Sequence, residues 1–187
     1  LSHGPSPVER LREVAKPIMK ELSGATRQAS HLTVFHDDQL MIVAPTLSPG
    51  PISIAMEEGR VFPLLATTSG RALLAQCSLD EQAERLNRLE EYTSQSEAKK
   101  KALQKNLFEI NKTGFIVRKS QLTQGITDIA VIIGSNDTPL KAALSLCCLN
   151  SELNGSELNL QELIAETQGA ATDIARKLGS HSRTYKS

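Results

Sequence analysis

The sequence predicts an α+β domain, an antiparallel sheet of about six strands with helices laid on its outside. Three observations carry this reading. Two pairs of β-rich runs, 31–36 with 39–45 and 126–133 with 140–149, are separated by turn residues, Asp37-Asp38 and Gly134-Ser-Asn-Asp. Amphipathic helical spacing brackets the strands at both ends of the chain. The 187 residues, 40% of them hydrophobic, suffice for one buried core, and no internal repeat or low-complexity tract marks a second.

The elements follow in order. Leu11, Val14, Ala15, Ile18 and Leu22 keep helical spacing, with Pro17 inside the pattern as an expected kink, because proline lacks an N–H and crowds the turn before it. The hairpin 31–45 comes next, and the alternation of Ile52, Ile54 and Met56 predicts a third strand over 51–56. Ser78-Leu-Asp-Glu reads as a capping box opening a helix. Leu103, Leu107 and Ile110 mark another, with a solvated basic face (Lys99, Lys100, Lys101, Lys105) and a C-cap at Gly114. Strands are expected at 114–118, 126–133 and 140–149. A last amphipathic helix runs from Leu160 through Leu163, Thr167, Ala170, Ala171, Ile174 and Leu178 and is expected to stop at Gly179. Residues 1–7 form an irregular start, 8–179 the domain, and 180–187 a tail.

The totals exclude several functions. Lys plus Arg number 21 and Asp plus Glu number 21, so the chain carries no basic footprint for a nucleic-acid backbone. Aromatic residues make up 3%, too few for a platform that stacks single strands. Three cysteines, two of them adjacent at Cys147 and Cys148, do not form a secreted disulfide framework. With no signal peptide and no apolar run of about 18 residues, a cytoplasmic location away from any membrane is expected.

Three places carry chemistry. PLLATTSGRALLA (63–75) sets Thr67, Thr68, Ser69 and Gly70 where a helix begins. The hydroxyls either cap the helix or, with its free N–H groups, meet an anion. Strand 140–149 sorts by period two into an ordinary apolar face and a small, mildly polar one of Lys141, Ala143, Ser145 and Cys147. That second face fits either a closely packed helix or a cavity. In strand 126–133, Asp128 shares a face with Ile126, Ala130 and Ile132. A buried carboxylate must be paired, protonated or open to a pocket. Arg118, at the end of the preceding strand, is its candidate partner, in an ion pair or jointly toward a ligand.

EEGRVFPLLATTSGRALLA (57–75) resembles the core signature of the isocitrate-lyase-regulator (IclR) family of bacterial transcription factors, roughly VGRRLPLHATALGKALLA. LREVAKPIMKELSGAT (11–26) is similar to the family's linker helix, proline included. HLTVFHDDQLMIVAPTLSPGPISIA (31–55) is similar to its first three strands, and GFIVRKSQLTQGITDIAVII (114–133) to its GYAVDDEELEEGVRCIAAPV segment. LKAALSLCCL and the final helix fit its end, so the likeness spans about residues 8–179. The resemblance implies a GAF-like, profilin-like effector-binding domain. It implies that residues 8–26 link to a winged helix-turn-helix absent from this chain, through which alone DNA would be bound. It further implies a small-molecule effector (a carboxylate, aromatic acid or sugar-like metabolite), assembly as a homodimer or homotetramer, and no cofactor. The effector positions it implies are Ile54, Leu65, Thr67, Thr68, Ser69, Gly70, Arg118, Asp128, Ala130, Ser145 and Cys147.

The chain departs from the family pattern on the polar side of that pocket. The family's Cys in EGVRCIA is Asp128, its first acid in GYAVDD is Arg118, its usual His before Ala-Thr is Leu65, and its hydroxyl positions in ALSVSG are Ser145 and Cys147. A paired Arg118 and Asp128 would suit a sugar or hydroxylated compound, a free Arg118 a carboxylate, and an unpaired Asp128 would repel an anion. Two other classes compete. An enzyme would need a motif that is absent, since no HExxH, GxSxG, phosphate loop or CxxC occurs, His31 and His36 lie on opposite faces of a strand, and Cys147 has no evident histidine base. A ligand-free oligomerisation or partner-binding module would not need Asp128 or the small polar face.

Overall fold

The computed structural model describes residues 4–54, 56–134, 140–153 and 158–182. The chain runs α1 (Pro7–Thr26), β1 (Ala29–His36), β2 (Gln39–Thr46), β3 (Val61–Pro63), α2 (Thr68–Ala75), α3 (Leu79–Asn87), α4 (Glu90–Thr93) and α5 (Glu97–Thr113). It continues β4 (Phe115–Lys119), β5 (Ile126–Ile133), β6 (Ala142–Leu149), α6 (Asn150–Leu153) and α7 (Leu160–Ser182). The six strands form one antiparallel sheet in the order β3-β2-β1-β6-β5-β4. The α+β class read from the hairpins is the class observed.

Alternation along the strands divides the interior into two layers. On one face Leu32, Val34, Ile129, Val131, Leu144 and Leu146 pack against Leu11, Ala15, Met19 and Leu22 of α1 and Leu163, Ala171 and Ile174 of α7. On the other, Leu40, Ile42, Ala130 and Ala143 pack against Leu73 and Leu74 of α2 and Leu103, Leu107 and Ile110 of α5. Each fully buried leucine in these layers contributes about 2 kcal/mol of hydrophobic free energy.

Several boundaries differ from the sequence expectations. The third strand is Val61–Pro63, paired with Gln39–Met41, while 51–54 is not strand and the bends lie at 49–52. Pro49 and Pro51 remove the donors that a ladder there would need. The alternating residues instead belong to a wall, described below. Helix α1 remains helical through Pro17, whose ring faces solvent while its neighbours Ile18 and Met19 bury the inner face. Its start is fixed by a full capping box, Ser6 accepting from the Glu9 N–H and the Glu9 carboxylate accepting from the Ser6 N–H. Helix α7 passes through Gly179, which adopts no left-handed conformation, to Ser182. Strand β6 begins at Ala142 rather than 140, and the expected turn at 135–137 and the tail at 183–187 lie outside the described residues. Gly114 does cap α5, with φ 83° and its N–H donating to the Ile110 carbonyl.

Helix α2 is seated by its glycine. A Cβ on Gly70 would stand 2.0 Å from the Leu64 carbonyl oxygen, so only a bare Cα lets the helix start lie against the 63–66 backbone. Gly24, inside α1, has nothing within 4 Å of the same position. Gly70→Ala is therefore expected to destabilise the fold by about 3 kcal/mol or more through backbone displacement. Gly24→Ala is expected to stabilise it by roughly 0.5–1 kcal/mol through helix propensity. Urea unfolding of both variants beside the parent checks the pair, and equal effects would show that α2 does not depend on this approach.

Candidate functional site

Helix α2 covers the sheet only from its first turn onward. Before Thr68 the same sheet face is left bare, and a cavity of about 430 Å³ occupies that space. Its floor is His31 of β1, Cys147 of β6 and Asp128 and Ile126 of β5; Thr67, Thr68 and Ser69 form one side. Leu40 and Ile42 of β2 with Phe62 of β3 make an apolar wall, and Ile54, Met56, Glu57 and Arg60 from the 47–60 segment close it opposite Ser120 and Leu122. Gly59, at φ 83°, turns that segment back so that the Ile42 N–H donates to the Arg60 carbonyl at 2.9 Å.

The hydroxyls at the start of α2 divide the two roles considered from sequence. Thr67 is the N-cap, its Oγ1 accepting from the Gly70 N–H at 3.1 Å. Thr68 and Ser69 reach the sheet instead. Thr68 Oγ1 donates to Asp128 Oδ2 at 3.4 Å, and Ser69 Oγ lies 2.6 Å from Ser145 Oγ and 3.2 Å from His31 Nε2. His31 Nδ1 stands 3.4 Å from Cys147 Sγ, and Cys147 and Ser120 lie near enough to Asp128 to favour its charged form. One pattern of hydrogens satisfies this whole chain. Ser145 donates to Ser69, Ser69 to His31 Nε2, and the His31 Nδ1–H to Cys147 sulfur, while Thr68 donates to the Asp128 carboxylate.

Electrostatics follow from burial. Desolvation lowers the His31 pKa from 6.5 to about 4, so the imidazole is neutral. Burial raises the Asp128 carboxyl above its ordinary range, opposed by the hydrogen bonds from Cys147, Thr68 and Ser120 and by the charge of Arg118. Burial, and then the nearby Asp128 charge, raise the Cys147 thiol well above its ordinary value. The sequence showed no histidine near Cys147; the β1–β6 register supplies one, His31. The pair rests as thiol and neutral imidazole, the reverse of the thiolate–imidazolium pair that attacks a carbonyl.

Arg118 and Asp128 stand directly opposite one another on β4 and β5. No ion pair joins them. Arg118 Nη1 donates to the Leu65 carbonyl at 3.5 Å, the oxygen that also accepts from Arg71 Nε at 3.3 Å. Of the positions singled out in the sequence, Ile54, Thr67, Thr68, Ser69, Asp128 and Cys147 line the cavity. Leu65 is buried in the core beneath α2, and Gly70 lies against Leu64. Ala130 is buried under α2 and α5, and Ser145 sits behind Ser69. Thus the small polar face of β6 serves both readings, packed under a helix at Ala143 and Ser145 and open to the cavity at Cys147. His31, Leu40, Ile42 and Phe62 were not singled out; the pairing of β1 with β2 and of β2 with β3 is what brings them in. Among the described residues no group of three or more His, Cys, Asp or Glu side chains is placed to hold a metal ion, and no helix is long and apolar enough to cross a membrane.

Residues 8–176 match the family described as bacterial transcriptional regulator IclR C-terminal. The chain is 30% identical over 177 residues to the HTH-type transcriptional regulator XynR of Escherichia coli K12, covering 90% of this chain and 67% of that protein. It is 28% identical over 165 residues to KdgR of the same strain, covering 87% of this chain and 62% of KdgR. The solved C-terminal domain of E. coli KdgR superposes with a TM-score of 0.72 at 27% identity, over 91% of this chain and 99% of that one. An IclR homolog from Microbacterium hydrocarbonoxydans, solved with 4-hydroxybenzoate, shares the fold at a TM-score of 0.76 and 22% identity, over 94% and 70% of the two chains.

The buried, neutral His31 has a stability signature. Its folded pKa of about 4 lies below its unfolded value of 6.5. Its contribution is therefore present above pH 6.5 and lost as pH falls toward 4. Asp128, with its folded pKa raised, acts with the opposite sign, its contribution being lost as pH rises through that raised value. His31→Gln should remove about 2 kcal/mol of the stability difference between pH 7 and pH 5. Urea unfolding at the two pH values checks this, and an unchanged difference would mean that His31 protonates freely in the fold.

Proposed function

The chain belongs to the IclR family of bacterial transcriptional regulators, matching it over the C-terminal domain, and on that premise we propose that the cavity at the start of α2 is an effector site. The observation that carries the proposal is a hollow of about 430 Å³ with an apolar wall and a buried, fully hydrogen-bonded polar floor. Pockets of that size and make-up are the usual seats of small metabolites. The 4-hydroxybenzoate held by the Microbacterium homolog supports the reading.

In this proposal the occupied and empty states differ in how the whole regulator engages DNA, through a helix-turn-helix reader outside these 187 residues. The chain spans 62% of KdgR and about two thirds of XynR, both HTH-type regulators. An effector moves such an equilibrium only as far as it binds one state better than the other. The regulator works in the bacterial cytoplasm as a dimer or tetramer without catalysing a reaction; exposed Leu79 and Phe108, beside the α3–α5 recess, support such assembly.

A melting-temperature screen of the chain against small carboxylates, aromatic acids, alcohols and sugars tests the proposal, since a ligand bound only to the folded state raises the midpoint. At least one compound is expected to raise it by several degrees. Ala66→Phe, which fills the cavity from the loop before α2, should abolish that rise while leaving circular dichroism unchanged. A rise that survives Ala66→Phe would put the ligand elsewhere, and the absence of any rise would count against an effector site.

A further inference from the structure

We infer that Asp128 makes the cavity select a ligand whose buried end is a hydrogen-bond donor, a hydroxyl or an ammonium, on an apolar body, and that it turns away a free carboxylate. This rests on the cavity being an effector site and narrows what fits there.

The start of α2 is where an anionic ligand would be expected, given its free N–H groups and positive dipole end. Here the chain supplies the anion itself, for the Asp128 carboxylate reaches Thr68, the first residue of that helix. Among the described residues none of the nearby cations forms an ion pair with it, and the Arg118 charge acts on it only through space. Arg118, opposite it on β4, donates to the Leu65 carbonyl, and Arg71 donates to that carbonyl and to Asn106 Oδ1. Arg60, the one Lys or Arg among the described residues lining the cavity, is ion-paired with Glu57 at 3.1 Å. His31 is engaged at both ring nitrogens.

Lone pairs complete the argument. A carboxylate offers about four acceptor sites. Thr68 donates to Asp128, and Cys147 and Ser120 lie close enough to favour its charged form, which leaves acceptor capacity toward the cavity. A hydroxyl or ammonium fills that capacity directly. A ligand carboxylate there meets a like charge and donates nothing unless one of the two acids is protonated. Leu40, Ile42, Ile54, Met56 and Phe62 line much of the rest of the cavity, so the body of the ligand is largely apolar.

Matched trios on one apolar body test this: benzyl alcohol, benzylamine and benzoate, and 3-phenylpropanol, 3-phenylpropylamine and 3-phenylpropanoate. Each is titrated calorimetrically into the 187-residue chain and into Asp128→Asn and Asp128→Ser at pH 7.5, with circular dichroism to confirm folding. The alcohol or the amine is expected to bind at least tenfold more tightly than its carboxylate, and whichever leads identifies a neutral or a cationic head. In Asp128→Asn, whose amide also donates, the ratio should fall to threefold or less, and Asp128→Ser should lower it in the same direction. A carboxylate that binds the parent as tightly as its partners, or a ratio unchanged in both folded variants, overturns the inference and leaves the effector site standing. Failure of every member to bind the parent counts against the effector site and takes the inference with it.

Discussion

The seating of α2 on the sheet is the contact from which the site follows. Gly70 lets the helix start meet the Leu64 backbone without a side chain between them, and the 2.6 Å Ser69–Ser145 hydrogen bond ties the first turn to β6. Because the helix begins there, the sheet beyond Ser145 has no helical cover on that face. The cavity is the uncovered remainder of a surface that Leu73, Leu74, Ala130 and Ala143 otherwise fill. A bulkier residue at position 70 would alter the seat of the helix and the mouth of the hollow together.

The floor of the cavity is a polar network inside an otherwise apolar layer, and such a network is tolerable only when every member is satisfied. Here a run of hydrogens from Ser145 through Ser69 and His31 to Cys147, with Thr68 donating to Asp128, meets that condition. Burial keeps the imidazole and the thiol neutral, so most of the charge on the floor resides on one carboxylate. That arrangement defines the polarity of the hollow more sharply than the number of polar residues would.

Much of the fold was legible because periodicity records burial. The faces of α1, α5 and α7 and the alternation in β1, β2, β5 and β6 could be read directly, and Gly114 marked its own helix end. The third strand was misplaced because three residues, Val61–Pro63, carry too little pattern of their own; their pairing is imposed by Gln39–Met41. Gly179 misled because it is a local helix breaker outvoted by a long apolar face. On the site, Thr68, Ser69, Asp128 and Cys147 could be singled out from face and position. His31 could not, because its partner Cys147 is 116 residues away and the two meet only through the β1–β6 register. The orientation of Arg118 was equally hidden, since the sequence fixes that it opposes Asp128 only once the strands are aligned and says nothing of the Leu65 carbonyl that captures it.

Strand β1 places consecutive residues in different layers. His31 belongs to the polar floor, while Leu32 is embedded among α1 and α7 on the reverse side. In β6, Cys147 and Leu146 repeat the arrangement, as do Asp128 and Ile129 in β5. A single peptide unit therefore separates the hollow from the helix pair formed by the two ends of the chain. In an interior packed at crystal-like density, a strand cannot slide under one layer without dragging the other.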